Sequence, residues 1–163
     1  MILAHCTLDG RSGHEAGWEL LRQLYREQTG QELPEIRKGP NGKPYFAEGS
    51  YHFSITHTPN HAFCALSENN IGIDAEELDR DINLKLADKI LSTAEKARYD
   101  AASDKRRALL TLWVLKEADA KRTGEGIWGY PNRTDFSPED PRVTEQNGCL
   151  LAIIEEKGEN HAV

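Results

Sequence analysis

Two stretches of this 163-residue chain carry acidic side chains at spacings suited to gripping a cation. In Ile71-Gly72-Ile73-Asp74-Ala75-Glu76, the alternation of a strand puts Asp74 and Glu76 on one face. Two neighbouring carboxylates repel, which favours a bound cation between them; Mg²⁺, a hard ion, takes carboxylate, water and phosphate oxygens. In the stretch from Trp113 to Lys121, helical spacing puts Leu110, Trp113, Val114, Glu117 and Lys121 on one face, apolar at its start and charged at its end. Each stretch has a plainer reading. Glu117 and Lys121 make an i,i+4 pair of the kind that adds only about 0.2–0.5 kcal/mol to an exposed helix. The acidic strand runs on into Glu77 and Asp79, as a solvated strand end would. Trp113 reads as the packing anchor of its helix.

The rest of the pattern predicts the elements that must hold these groups. Residues 2 to 8 read as a strand ended by the turn Asp9-Gly10-Arg11, and Ser12 with Glu15 makes a capping box. A helix over about 14–29 buries Trp18, Leu20, Leu21, Leu24 and Tyr25, and stops at Gly30. Pro34, Pro40-Asn41-Gly42 and Pro44 break residues 34–47 into short extended pieces around a basic turn with Arg37, Lys38 and Lys43. From Tyr51 to Thr58, Phe53 and Ile55 face one way and Ser54, Thr56 and Thr58 the other. With His57, these hydroxyls suggest a hydrogen-bonding surface for phosphate or ribose. Ala62–Leu66 and Asn70–Glu76 read as a hairpin. Ser92 and Glu95 form a second capping box for a helix to about Ala102, and Ser103 is the expected cap of the long helix that ends at Gly124. The chain from there through Pro141 reads as loop. Val143–Glu145 and Cys149–Glu155 read as a hairpin about Asn147-Gly148, and Gly158–Val163 as a frayed tail.

Composition narrows the function classes. A net charge of −7 and a pI near 5.4 argue against a general nucleic-acid binder. No run nears the roughly 18 apolar residues of a membrane span, and the start lacks the basic flank and long apolar core of a signal peptide, so a cytoplasmic protein is expected. Cys6, Cys64 and Cys149 are widely spaced and show neither a zinc motif nor a disulfide framework; three buried thiols are expected. Lys85, Lys89, Lys96, Arg98, Lys105, Arg106 and Arg107 make the middle region basic. Most read as helix surface, and a patch near the cleft would steer an acidic partner.

The two acidic stretches, about forty residues apart, resemble the paired signature of the 4′-phosphopantetheinyl transferases. Gly42-Lys43-Pro44 resembles that family's Gly-Lys-Pro segment, and Phe53-Ser-Ile-Thr-His57-Thr58 its Phe-x-Ile-Ser-His-Ser segment. Leu91-Ser92-x-x-Glu95 and Gly124-x-Gly126 also match, so the resemblance covers roughly residues 12 to 127. It implies an α+β fold: a pseudo-dimer of two related lobes, about 1–66 and 67–163 of one domain, with helices packed on largely antiparallel sheets. Because roughly 70 residues precede the Ile-Gly-Ile-Asp motif, the chain resembles the single-chain, surfactin-type members more than the short holo-acyl-carrier-protein synthases, and a monomer is expected.

The implied reaction moves 4′-phosphopantetheine from coenzyme A to a serine of an apo acyl or peptidyl carrier protein and releases 3′,5′-ADP. By this resemblance Asp74, Glu76 and Glu117 hold Mg²⁺. Glu117 is the expected general base, with Glu76 able to exchange roles. Lys121 faces the leaving phosphate, Lys116 contacts phosphate from the adjacent position, and Lys43, Thr56 and His57 contact the nucleotide of coenzyme A. Another Mg²⁺-dependent phosphoryl-transfer enzyme, or a non-catalytic coenzyme A or carrier-binding module, would share these residues.

Overall fold

The computed structural model describes residues 1–126 and 134–156. Its first strand, β1 (Ile2–Thr7), ends in a turn where Asp9 and Gly10 both take positive φ. Helix α1 (Gly13–Thr29) follows, with the Ser12 side chain accepting the Glu15 N–H; only this half of the expected capping box is made. A small hairpin, β2 (Ile36–Lys38) and β3 (Pro44–Phe46), flanks the turn that carries Lys43. Strands β4 (His52–His57) and β5 (His61–Ser67) come next, and with β1 they form an antiparallel sheet in the order β1-β5-β4.

The chain then crosses to a second antiparallel sheet. Here β6 (Ile71–Glu77) pairs with β8 (Cys149–Glu155), and β8 with β7 (Val143–Gln146), in the order β6-β8-β7. Between β6 and β7 lie a 3₁₀ turn (Leu84–Leu86), the short α2 (Ala87–Ile90), α3 (Thr93–Ala101) and the long α4 (Lys105–Thr123). The β7–β8 turn has Asn147 and Gly148 at positive φ, as the Asn-Gly dipeptide predicts.

Two sequence expectations are corrected here. Ala62–Leu66 and Asn70–Glu76 are not a hairpin: β5 pairs with β1 and β4, and β6 with β8. The reason is that β5 is buried on both faces. Ala62, Cys64 and Leu66 pack toward α1, whereas Phe63 and Ala65 pack against Ile71, Ile73, Cys149 and Leu151 in a core shared by the two sheets. The real hairpin is β4–β5, closed at Thr58–Asn60. Secondly, Asp104 rather than Ser103 caps α4, its carboxylate accepting the Arg107 N–H at 2.9 Å. Ser92 and Glu95 do form the full reciprocal box. Residues 134–142 have no regular element; residues 127–133 of the expected loop, and the expected tail, lie outside the described residues.

Strand β6 sorts its side chains by parity. Ile71, Ile73 and Ala75 enter the shared core, while Gly72, Asp74 and Glu76 face α4. Gly72 is what lets the helix approach. A Cβ there would lie 1.9 Å from the Ala118 carbonyl oxygen and 2.5 Å from the Arg122 nitrogen, both backbone atoms. The other edge of β6 meets β4 through side chains instead of a ladder. Ser54 Oγ accepts from the Ile73 N–H at 3.0 Å, Thr56 Oγ1 lies 3.4 Å from the Ala75 nitrogen, and Thr58 donates to Glu77 at 2.6 Å. The hydroxyl stripe thus faces the other sheet, with Ser54 and Thr56 also at the wall of the cleft described below, and all three residues are buried.

Candidate functional site

Asp74 and Glu76 from β6 and Glu117 and Lys121 from α4 line one open cleft of about 560 Å³, together with Lys43, Thr56 and His57. The expected constellation therefore assembles, apart from Lys116. In an α-helix an adjacent residue points about 100° away, so Lys116 cannot share the face of Glu117. It is wholly buried in the core beside α3, bonded to Glu95 at 2.7 Å and also to Thr134. Glu95 accepts further from Thr134 at 2.6 Å and from the Phe136 N–H at 3.1 Å. These groups hold the 134–136 segment onto α3 and α4, and Lys116 as a phosphate contact is corrected.

Within the cleft, each carboxylate has an oxygen to offer. Asp74 Oδ1 accepts from Lys121 Nζ at 2.7 Å and from Thr56 at 3.0 Å, while its buried Oδ2 has no partner among the described residues. Glu76 Oε1 accepts from the Trp113 indole N–H at 3.1 Å and from Arg80, whose guanidinium lies 5.5 Å from the Trp113 ring centroid. Glu117 accepts no hydrogen bond among the described residues. Burial, and then the charge of Asp74, push the Glu76 and Glu117 carboxyls above the usual carboxylate range. Three carboxylates lining one cleft, with open oxygens, are the donor chemistry that a hard divalent cation takes, and their side chains would have to draw closer together around it.

Lys43 Nζ bonds Asn70 Oδ1 at 2.9 Å and the Arg122 carbonyl, so it ties the β2–β3 turn to the end of α4. Burial lowers its pKa. Thr56 does not present a spare hydroxyl: it donates to Asp74 and lies against the Ala75 N–H. It stands at the cleft wall beside Asp74, which it orients. His57 is exposed at the rim, with its ring against Gly13, where a Cβ would come within 2.5 Å of it. Trp18, expected in the core, also walls the cleft beside His14 while packing edge-on to Phe53.

Sequence reasoning missed Arg80 altogether and saw only packing in Trp113. Arg80 follows β6 in a turn held by Arg106, which donates to the Leu78 and Arg80 carbonyls. Most of the basic middle region is likewise engaged: Lys96 with Asp100, Arg98 with Asp135 and Arg107 with Glu145. Cys64 and Cys149 are buried, their thiols pushed up to about 12 and about 11, which makes them poor nucleophiles; Cys6 is only half-buried.

Residues 70–160, which contain Asp74, Glu76, Glu117 and Lys121, match the model of the 4′-phosphopantetheinyl transferase superfamily. The chain belongs to that superfamily. It is 30% identical over 134 residues to the 4′-phosphopantetheinyl transferase psf-1 of Bacillus pumilus, covering 78% of this chain and 57% of the relative. Identity is 31% over 95 residues with the 4′-phosphopantetheinyl transferase gsp of Aneurinibacillus migulanus, covering 57% and 39%. Against the 4′-phosphopantetheinyl transferase HetI of Nostoc sp. it is 32% over 122 residues, covering 69% and 52%. The chain thus spans about two to three fifths of the length of these curated relatives. No helix among the described residues is long and apolar enough to cross a membrane.

Proposed function

We propose that this protein transfers the 4′-phosphopantetheine group of coenzyme A to a serine hydroxyl of an apo acyl or peptidyl carrier protein, with Mg²⁺, and releases 3′,5′-ADP. The observation that carries this reading is the convergence of Asp74, Glu76 and Glu117, with their open oxygens, on a cleft that also holds Lys121. Phosphoryl transfer depends chiefly on positioning and on neutralising charge, and this cleft has the groups for both. The three carboxylates would hold Mg²⁺, which when bound neutralises the charge on the pyrophosphate of coenzyme A.

The chain's own residues supply the remainder. Lys121, kept beside the cluster by Asp74, brings a positive charge to the leaving phosphate. Thr56, Arg80 and Trp113 keep Asp74 and Glu76 aimed. Glu117, whose carboxylate accepts no hydrogen bond among the described residues, is placed to take the proton of the attacking serine hydroxyl. Trp18, His14 and His57 offer a flat wall and ring nitrogens for the nucleotide, and Lys43 a cation at its edge. Each sheet carries one long helix, a feature that supports a pseudo-dimer of two lobes, of the surfactin type.

Intact-mass spectrometry of apo carrier proteins incubated with this protein, coenzyme A and Mg²⁺ tests the reading. The expected result is a phosphopantetheine mass gain that requires Mg²⁺. No gain on any carrier from fatty acid, polyketide or nonribosomal peptide synthesis overturns it.

A further inference from the structure

At the end of the β4–β6 seam, on the side of β6 opposite Glu76, three side chains of a different chemistry meet. His61 opens β5, Glu77 closes β6 and Cys149 opens β8, and one ligand atom from each lies within 4.8 Å of the others. Glu77 and Cys149 are direct cross-strand partners, and His61 comes from the other sheet.

The surrounding hydrogen bonds sort the atoms into held and open ones. Glu77 Oε1 accepts from Thr58 at 2.6 Å and from Asn60 at 3.2 Å, which leaves Oε2 as the oxygen 3.9 Å from the Cys149 sulfur. His61 Nδ1 lies 2.9 Å from His5 Nε2, a contact that orients the His61 ring. This is how outer hydrogen bonds fix ligands in metal sites: they set the imidazole tautomer and aim the carboxylate.

We infer that His61, Glu77 and Cys149 form a second metal site, for Zn²⁺ or a similar borderline ion, that clips the two sheets together. One sulfur, one imidazole nitrogen and one carboxylate oxygen suit Zn²⁺, not the hard ion of the acidic cleft. The thiol proton leaves to solvent on binding, so thiolate and carboxylate balance the dication. His61 and Glu77 are half-exposed, so water has access to the fourth position. The ligands sit far apart in the chain and meet only across three strands, so sequence spacing showed no metal motif. This inference does not rest on the proposed transferase activity.

Cobalt substitution tests it. Chelator-stripped, reduced protein carrying Cys6→Ser is titrated with Co²⁺. A thiolate-to-metal charge-transfer band saturating at one equivalent is expected, with displacement by Zn²⁺ and a raised thermal midpoint in the Zn²⁺ form. The acidic cleft has no sulfur ligand, so Glu117→Gln must keep the band in full. Cys149→Ser, His61→Ala and Glu77→Gln must each abolish it, and Thr58→Val must weaken Co²⁺ binding by about tenfold or more. If Cys149→Ser does not fold, the other two ligand variants decide. No band at one equivalent overturns the site. So does a band that survives both His61→Ala and Glu77→Gln, because a thiol binding cobalt adventitiously would need neither partner.

Discussion

Glu76 owes its orientation to two donors acting on a single oxygen, the Trp113 indole and the Arg80 guanidinium. Trp113→Phe keeps an aromatic ring but removes the indole N–H together with the pyrrole half of the side chain. It should lower the thermal midpoint modestly and weaken Mn²⁺ binding by the folded protein about tenfold, measured by electron paramagnetic resonance. Lys116 makes the opposite case. Removing one partner of a buried ion pair costs about 3–5 kcal/mol, so Lys116→Ala should lower the thermal midpoint sharply while the folded fraction keeps its KM for coenzyme A. A selective rise in that KM would restore Lys116 to the cleft. For Glu117 the sign follows from its raised carboxyl. A folded pKa above the usual 4.5 means that the native state gains stability from the proton, and that this gain is lost as pH rises through the folded value. Metal-free Glu117→Gln should therefore melt above the parent at neutral pH, with the gap closing as pH falls toward 4.5. In Mg²⁺ the order reverses, and carrier modification by the variant is abolished.

The packing of α4 on β6 brings the acidic residues together, and it depends on Gly72. Gly72→Ala drives a methyl into backbone atoms that no rotamer change can move aside. Destabilisation of about 1–3 kcal/mol is expected. A shift of α4 by even 1 Å should cut transfer about 100-fold in the protein that remains folded, read as kcat at saturating coenzyme A. Much at this scale was legible in the chain. The alternation of β6, the helical spacing of Glu117 and Lys121 and the Asn147-Gly148 turn all follow from local periodicity. What was not legible lies across elements. Nothing in Tyr51–Thr58 says that its hydroxyls face a second sheet, or in Asp79–Asp81 that Arg80 turns back to Glu76. The β5–β6 pairing failed because two adjacent apolar runs look alike whether they share a ladder or a core.

At the scale of the molecule, two antiparallel sheets share an apolar core and one acidic cleft, joined by Ser54, Thr56, Thr58 and Lys43. The pairing of Asp74, Glu76 and Glu117 was foreseeable from their types and order; the means by which two sheets become one body was not, since it consists of side-chain bonds between residues distant in the chain. The hydroxyl seam also has a consequence for colloidal behaviour. Hydroxyls from β4 stand where a further strand would pair, so they cover the free edge of β6. Residues 68–156 alone would present that edge bare, beside the apolar side chains of Ile71, Ile73 and Leu151, and an uncovered strand edge is a template for another chain. Such a fragment should self-associate in light scattering where the whole chain does not, and adding residues 1–67 in trans should restore its solubility. With that outcome, the first 67 residues would count as an intramolecular chaperone for the part of the chain that carries the three carboxylates.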